Sequence, residues 1–264
     1  MPEQRSIAAS DGTSLSLRLD GRPGSPLLLL LHSIGCDGTM WAPQRQELVD
    51  QFLVISLDLR GHGGSDAPEG DYTLTRLALD VADVLDALGA EQAHVCGLSL
   101  GGLVAQQFSL QAAARVRSLT LASTASRIGT SEAWRDRAAV VLNQGMAAVA
   151  ELALGRFFSD AFRTEAPAVV QGVLDALCAT SPVGYAGCCA ALRDGDLTSE
   201  VGAIAAKTLV VAGSRDVSTA PDQVRRLAEA IPSAGYVELD AAHLCNLEQP
   251  RAFTAAVRRL LEGG

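Results

Sequence analysis

The stretch from Ala93 to about Ala113 constrains this chain most. A short apolar run, Ala93-His94-Val95-Cys96, leads into Gly97-Leu98-Ser99-Leu100-Gly101-Gly102 and then into a helical pattern from about Leu100 to Ala113. Gly-x-Ser-x-Gly at a strand-to-helix junction predicts a sharp turn that lifts a serine out of the sheet. Small residues belong there because the backbone is crowded and strained. The pattern alone is weak: 25 Gly and 20 Ser among 264 residues give ~0.2 matches by chance. Its place between a strand and a helix lends it weight. The competing reading is a purely structural turn.

The flanking pattern predicts an α/β architecture. Leu15–Leu19 alternates apolar and polar residues, like an edge hairpin strand, whereas Leu27–Leu31 is continuously apolar, as in a strand covered on both faces. Phe52–Leu57 is a third strand. Thr73–Leu88 carries apolar residues at helical spacing, with Gly89 as C-cap, and Val116–Ala122 is the strand after the Ser99 helix. Strand, helix and strand in this order imply parallel pairing through crossover helices.

From 125 to about 197 no strand pattern is found. The segment reads as helices broken at Pro167 and at Ser181-Pro182-Val183-Gly184, and is expected to form a helical cap. Strands return at Thr208–Ala212 and Tyr236–Leu239, with helices at Pro221–Ala230 and about Pro250–Leu261. The expected division is a core of residues 1–124 and 198–264 and a cap of 125–197.

A formal net charge of −9, with no clustered basic stripe, argues against nucleic acid or an anionic membrane surface as a partner. The six cysteines form no C-x-x-C and no zinc spacing, which fits a reducing compartment. Cys36, Cys96 and Cys178 read as small apolar residues. The first twelve residues have no apolar signal region, so a cytoplasmic location is expected. Lys207 is the only lysine among 21 basic residues; with so much alanine this suggests a GC-rich, bacterial coding genome.

A nucleophilic serine needs a base, and the base needs an orienting acid, in the chain order Ser, acid, His. His243 is the only histidine after Ser99 and lies in a loop beyond the last strand; His32, His62 and His94 are weaker candidates. Asp216 follows the strand Thr208–Ala212 and is the expected acid, with Asp222 and Asp240 as rivals. The oxyanion hole needs two backbone N–H groups: Leu100, directly after the nucleophile, and Ile34, in the loop after Leu27–Leu31.

His32-Ser33-Ile34-Gly35, Asp58-Leu59-Arg60-Gly61-His62-Gly63 and Gly97-Leu98-Ser99-Leu100-Gly101-Gly102 resemble the α/β-hydrolase superfamily. Within it, the chain is most similar to the 3-oxoadipate enol-lactonases of bacterial aromatic catabolism. That likeness rests on Gly184 to Asp194, Gly35-Cys36-Asp37 with Met40-Trp41, Gly145-Met146-Ala147 and Glu238 to His243. The resemblance implies a mostly parallel central sheet flanked by helices, with a helical cap inserted after the sixth strand. It implies hydrolysis of 3-oxoadipate enol-lactone by a Ser99–Asp216–His243 triad, without metal or cofactor, in the β-ketoadipate pathway.

Such a substrate is a small anionic lactone, and its carboxylate calls for a local cation. The cap offers Arg127, Arg135, Arg137, Arg156, Arg163 and Arg193, and Trp134 is a candidate for the pocket wall or for cap core. Two other readings remain at this level: a broad carboxylesterase or cofactor-free perhydrolase, and a non-enzymatic small-molecule receptor. Haloalkane dehalogenation would need an aspartate where Ser99 stands. Oligomeric state is not legible in the sequence.

Overall fold

The computed structural model describes residues 3–232 and 234–263. Eight strands form one sheet: β1 (Glu3–Ala8), β2 (Ser14–Asp20), β3 (Leu27–Leu31), β4 (Leu53–Leu57), β5 (Ala93–Leu98), β6 (Val116–Ala122), β7 (Thr208–Gly213) and β8 (Gly235–Leu239). Their spatial order is β1-β2-β4-β3-β5-β6-β7-β8. β1 with β2 and β2 with β4 are antiparallel, and every later pairing is parallel. The residue pattern marked no strand at β1 and read Leu15–Leu19 as an edge, whereas β2 is paired on both sides, by β1 and β4. β1 is a mostly exposed edge, so burial imposes little apolar pattern on it.

The continuous apolar run of β3 is explained by its two faces. Leu27, Leu29 and Leu31 pack with Leu77, Val81 and Leu103 in one cluster. Leu28 and Leu30 pack with Trp41, Phe253 and Val257 in another. The helices on the first side are α2 (Leu74–Ala87) and α3 (Leu100–Gln111). Those on the second are α1 (Ala42–Leu48) and α11 (Pro250–Glu262). Each buried leucine contributes about 1.5–3 kcal/mol, so a central strand with no polar residue is stable only when both faces are covered.

Helix ends follow the local chemistry. Thr73 caps α2 by accepting the Arg76 N–H, and Gly89, at φ 63°, closes it. There Gly89 N–H donates to Asp86 O and Ala90 N–H to Leu85 O, the paired bonds of a Schellman end.

Between β6 and β7 the chain forms α4 (Ser131–Gln144), α5 (Ala147–Phe157), α6 (Asp160–Glu165), α7 (Pro167–Ala179) and α8 (Pro182–Asp194). Both proline breaks start helices, Pro167 in α7 and Pro182 in α8. The segment enters and leaves at one point, where Leu197 N–H donates to Ser126 O. α8 seats on the core through two glycines. A Cβ on Gly184 would lie 2.2 Å from the Gly61 Cα, and one on Gly187 would lie 2.7 Å from the Tyr72 ring. Cys178, expected as an apolar filler, is exposed on α7. Among the described residues no single helix is long and apolar enough to cross a membrane.

Candidate active site

Ser99 joins β5 to α3 at φ 57° and ψ −114°. A non-glycine residue in this region costs about 1–3 kcal/mol and persists only where its surroundings fix it. Here they do. Ser99 N–H donates to Ala122 O at 3.0 Å, and Ser99 O accepts Leu103 N–H and the Thr124 hydroxyl. The neighbouring glycines are required by contact. A Cβ on Gly97 would lie 2.1 Å from Gly101 O, and one on Gly101 would lie 2.2 Å from Leu31 O.

Asp216 lies in the turn after β7, and His243 between β8 and α10 (Cys245–Glu248). Gly213 lets these loops meet, since a Cβ there would lie 2.2 Å from Ala242 O. His243 Nδ1 is 2.8 Å from Asp216 Oδ2. The same oxygen accepts the Thr219 hydroxyl at 2.7 Å, while Oδ1 accepts the N–H groups of Ser218 (2.7 Å) and Thr219 (3.1 Å). Burial alone would raise the Asp216 pKa, but the charge of His243 and the bonds from His243 and Thr219 outweigh it and hold the carboxyl below its usual value. The rivals lie elsewhere: Asp222 is exposed on α9 (Pro221–Ala230), and exposed Asp240 pairs with Arg215 at 2.6 Å.

The loop after β3 turns at Ser33-Ile34-Gly35-Cys36. Cys36 N–H donates to Ser33 O at 3.1 Å, and Gly35 takes φ 74°, the signature of a type II turn. Ile34 N–H and Leu100 N–H have no acceptor among the described residues. Leu100 is the first residue of α3, so its N–H has no partner within the helix.

The other histidines have structural partners. His32 Nε2 accepts Leu59 N–H at 2.9 Å, and His62 Nε2 accepts Gly35 N–H at 3.0 Å. His94 bonds the Ser118 hydroxyl and meets Phe52 edge-on in β5. Burial, aided by Arg117, lowers its pKa to about 4.

Ser99, Ile34 and His243 open onto a cavity of about 100 Å³. The helical segment roofs it with Trp134, Arg137, Arg156, Phe157 and Tyr185. Phe157 lies nearly parallel to the His243 ring, with centroids 6.0 Å apart. Trp134 is both wall and core: it is buried, and its Nε1–H donates to Ile128 O at 2.6 Å. A larger concavity of about 650 Å³ lies at the opposite ends of the strands, around Gly21, His94 and Arg117; the hydroxyl that His94 bonds, Ser118, is buried behind it and does not line it.

The structure also sorts the arginines of this segment. Arg127 pairs with Asp196, Arg163 with Asp160, and Arg193 with Asp71 and Asp194. Arg135 is exposed. Arg137 and Arg156 face the cavity and have no acidic partner among the described residues. Arg137 lies 4.8 Å from the Trp134 ring centroid. Burial, reinforced by the charge of Arg137, lowers the Arg156 pKa. The i, i+3 spacing of Trp134 and Arg137 on one helix face could have favoured Arg137 over Arg135. No sequence signal marked Phe157; Tyr185 falls in the Gly184 to Asp194 stretch that carries the enol-lactonase resemblance, but nothing there singled it out as a cavity wall.

A family model described as the alpha/beta hydrolase fold matches residues 26–165. Over 94% of this chain and 92% of the relative, the sequence is 37% identical to 3-oxoadipate enol-lactonase 1 of Acinetobacter baylyi. The chain belongs to the α/β-hydrolase superfamily and its 3-oxoadipate enol-lactonase family. Among solved structures, this α/β-hydrolase is similar to an enol-lactonase from Burkholderia xenovorans. The TM-score is 0.96 at 39% identity, covering 98% of this chain and all of that one. It is also similar to a thermophilic esterase from Thermogutta terrifontis, with a TM-score of 0.92 at 31% identity over 99% and 98% of the two chains. This α/β-hydrolase is a hydrolase of ester or lactone bonds.

Proposed function

We propose that the protein opens 3-oxoadipate enol-lactone to 3-oxoadipate, with Ser99 as nucleophile, His243 as base and Asp216 as its orienting acid. The observation that carries this reading is one small cavity joining Ser99 and His243 to two acid-free arginines, Arg137 and Arg156. A lactone bearing a carboxylate uses both halves of that cavity. The helical cap, residues 125–197, supplies the cationic half, and Arg137 takes the carboxylate.

His243 Nε2 accepts the Ser99 proton as Oγ attacks the lactone carbonyl. The oxyanion accepts the N–H groups of Ile34 and Leu100, each worth roughly 3 kcal/mol in the transition state. Asp216 holds the imidazole with Nδ1 protonated and stabilises the imidazolium. Collapse breaks the ring C–O bond and expels an enolate, which is protonated by the imidazolium and becomes a ketone. Ketonisation removes the nucleophile that could re-close the ring. His243 then deprotonates a water, which cleaves the acyl-enzyme and releases the dicarboxylate. The residues cited carry every step without a metal or cofactor. The reaction belongs to the β-ketoadipate pathway, in the cytoplasm.

The test follows loss of enol-lactone absorbance, with lactone generated freshly from muconolactone by its isomerase, beside a neutral aryl ester. The expected result is lactone opening far faster than ester cleavage, with Ser99→Ala at background on both. If the ester is cleaved and the lactone untouched, the substrate assignment fails while the triad stands. The second reading, a broad carboxylesterase or perhydrolase, draws on the likeness to the Thermogutta esterase and on the apolar wall of Trp134, Ile128 and Phe157.

A further inference from the structure

Two buried histidines sit behind the Ile34 turn and take no part in the proposed proton transfers. His32 and His62 are fully enclosed, with ring centroids 5.1 Å apart. Their tautomers follow from their partners. Leu59 N–H can only donate, so His32 Nε2 is bare and its proton sits on Nδ1. That Nδ1–H donates to Ser33 O at 2.8 Å. Likewise, Gly35 N–H donates into His62 Nε2, which leaves the His62 proton on Nδ1, facing Arg60 O at 3.4 Å. Burial, assisted by repulsion from His32, lowers the His62 pKa to about 3, so the ring stays a neutral acceptor.

These bonds fall on the two peptide groups that flank Ile34. Ser33 O belongs to the same peptide as Ile34 N–H, and it accepts from both His32 Nδ1 and Cys36 N–H. Two donors on that carbonyl fix the peptide plane and polarise its N–H, making it a stronger donor. Gly35 N–H belongs to the next peptide, and His62 holds it. The His62 ring is wedged in place by α8: Tyr185 lies at 6.3 Å between centroids and Cys188 Sγ at 4.0 Å from Nδ1.

We propose that His32 and His62 are positioning residues that clamp the Ile34 turn and thereby aim its N–H at the reacting oxygen. This rests on the reading of Ile34 as an oxyanion donor. Neither imidazole touches substrate; each acts through one backbone peptide. Because α8 also walls the cavity with Tyr185, the helix that lines the cavity is the helix that braces the clamp.

The experiment compares His62→Phe, which keeps a ring but offers no acceptor, with His62→Gln, whose amide oxygen can accept Gly35 N–H. A neutral aryl ester serves as substrate, and an alkyl boronic acid serves as the probe whose Ser99 adduct places an oxygen in the hole. For His62→Phe, kcat is expected to fall about 10- to 100-fold, short of the 10²–10³ of a donor removed outright. Boronate affinity should fall in step, KM should stay within about threefold of wild type, and His62→Gln should recover most of both losses. His62→Asn, whose shorter amide falls short of Gly35, provides the same deficit should His62→Phe fail to fold. The proposal is overturned by kcat within threefold of wild type in the acceptor-free variants. Unchanged boronate affinity beside a lower kcat overturns it too, as does a Gln variant as impaired as Phe. Ser99→Ala on the same ester separates the two readings. If Ser99→Ala stays active, the serine mechanism fails; if it is dead while His62→Phe is normal, only the clamp fails.

Discussion

Asparagine at position 216 tests the acid–base arrangement most sharply, because the hydrogen bonds around Asp216 dictate how the amide must sit. Oδ1 accepts two backbone N–H groups, from Ser218 and Thr219, which cannot reverse direction. The amide oxygen therefore takes that side, and the NH₂ falls where Oδ2 now faces Thr219 and His243. The Thr219 hydroxyl can turn and accept. His243 Nδ1 can accept only by giving up its proton, so the imidazole proton moves to Nε2, the nitrogen that takes the Ser99 proton in the proposed mechanism. The fold keeps its bonds while the base is lost. The expected fall in kcat/KM on a neutral aryl ester is about 10⁴-fold, or about 5.4 kcal/mol at 1.36 kcal/mol per decade. The low-field Nδ1 proton resonance of His243 should vanish with it. A folded Asp216→Asn enzyme that keeps activity within tenfold of wild type would refute the assignment. The same carboxylate sets a pH signature. Its folded pKa is depressed, so its contribution to stability is fully present above the unfolded value of about 3.9 and is lost as pH falls through the folded pKa. Thermal melts should therefore show the gap between wild type and Asp216→Asn narrowing below about pH 4.

Two further outcomes are expected. Arg137→Ala removes a charge-assisted bond of about 1.5–3 kcal/mol, so KM for the anionic lactone should rise roughly 10- to 100-fold while KM for a neutral ester holds; equal changes on both substrates would exclude a carboxylate contact. Gly184→Ala places a Cβ 2.2 Å from the Gly61 backbone, which cannot swing aside as a side chain could. Overpacking of about 1–3 kcal/mol should appear in urea unfolding, and KM should rise as α8 lifts; an unchanged midpoint would mean that α8 is seated elsewhere.

Local chemistry determined much of this protein. The alternation of leucine with polar residues in β2 and the continuous run of β3 are written in the residue order, because a strand's faces are set two residues apart. Helix caps at Thr73 and Gly89 are likewise local. So was the Ser99 turn, since its strained backbone demands glycine at 97 and 101, within two residues of Ser99. The edge strand β1 escaped notice because exposure removes the burial that leaves a pattern.

What the sequence could not supply was any relation between distant parts of the chain. Arg137 and Arg193 look alike in the sequence; only packing puts one on the cavity that Ser99 lines and ties the other to Asp71 and Asp194. His32 and His62 read only as weaker candidates for the base until the fold places their loops behind Ile34. The physical reason is common to both. A residue's type fixes which bonds it can make, but which partner it meets depends on the long-range packing that brings separate loops and helices together.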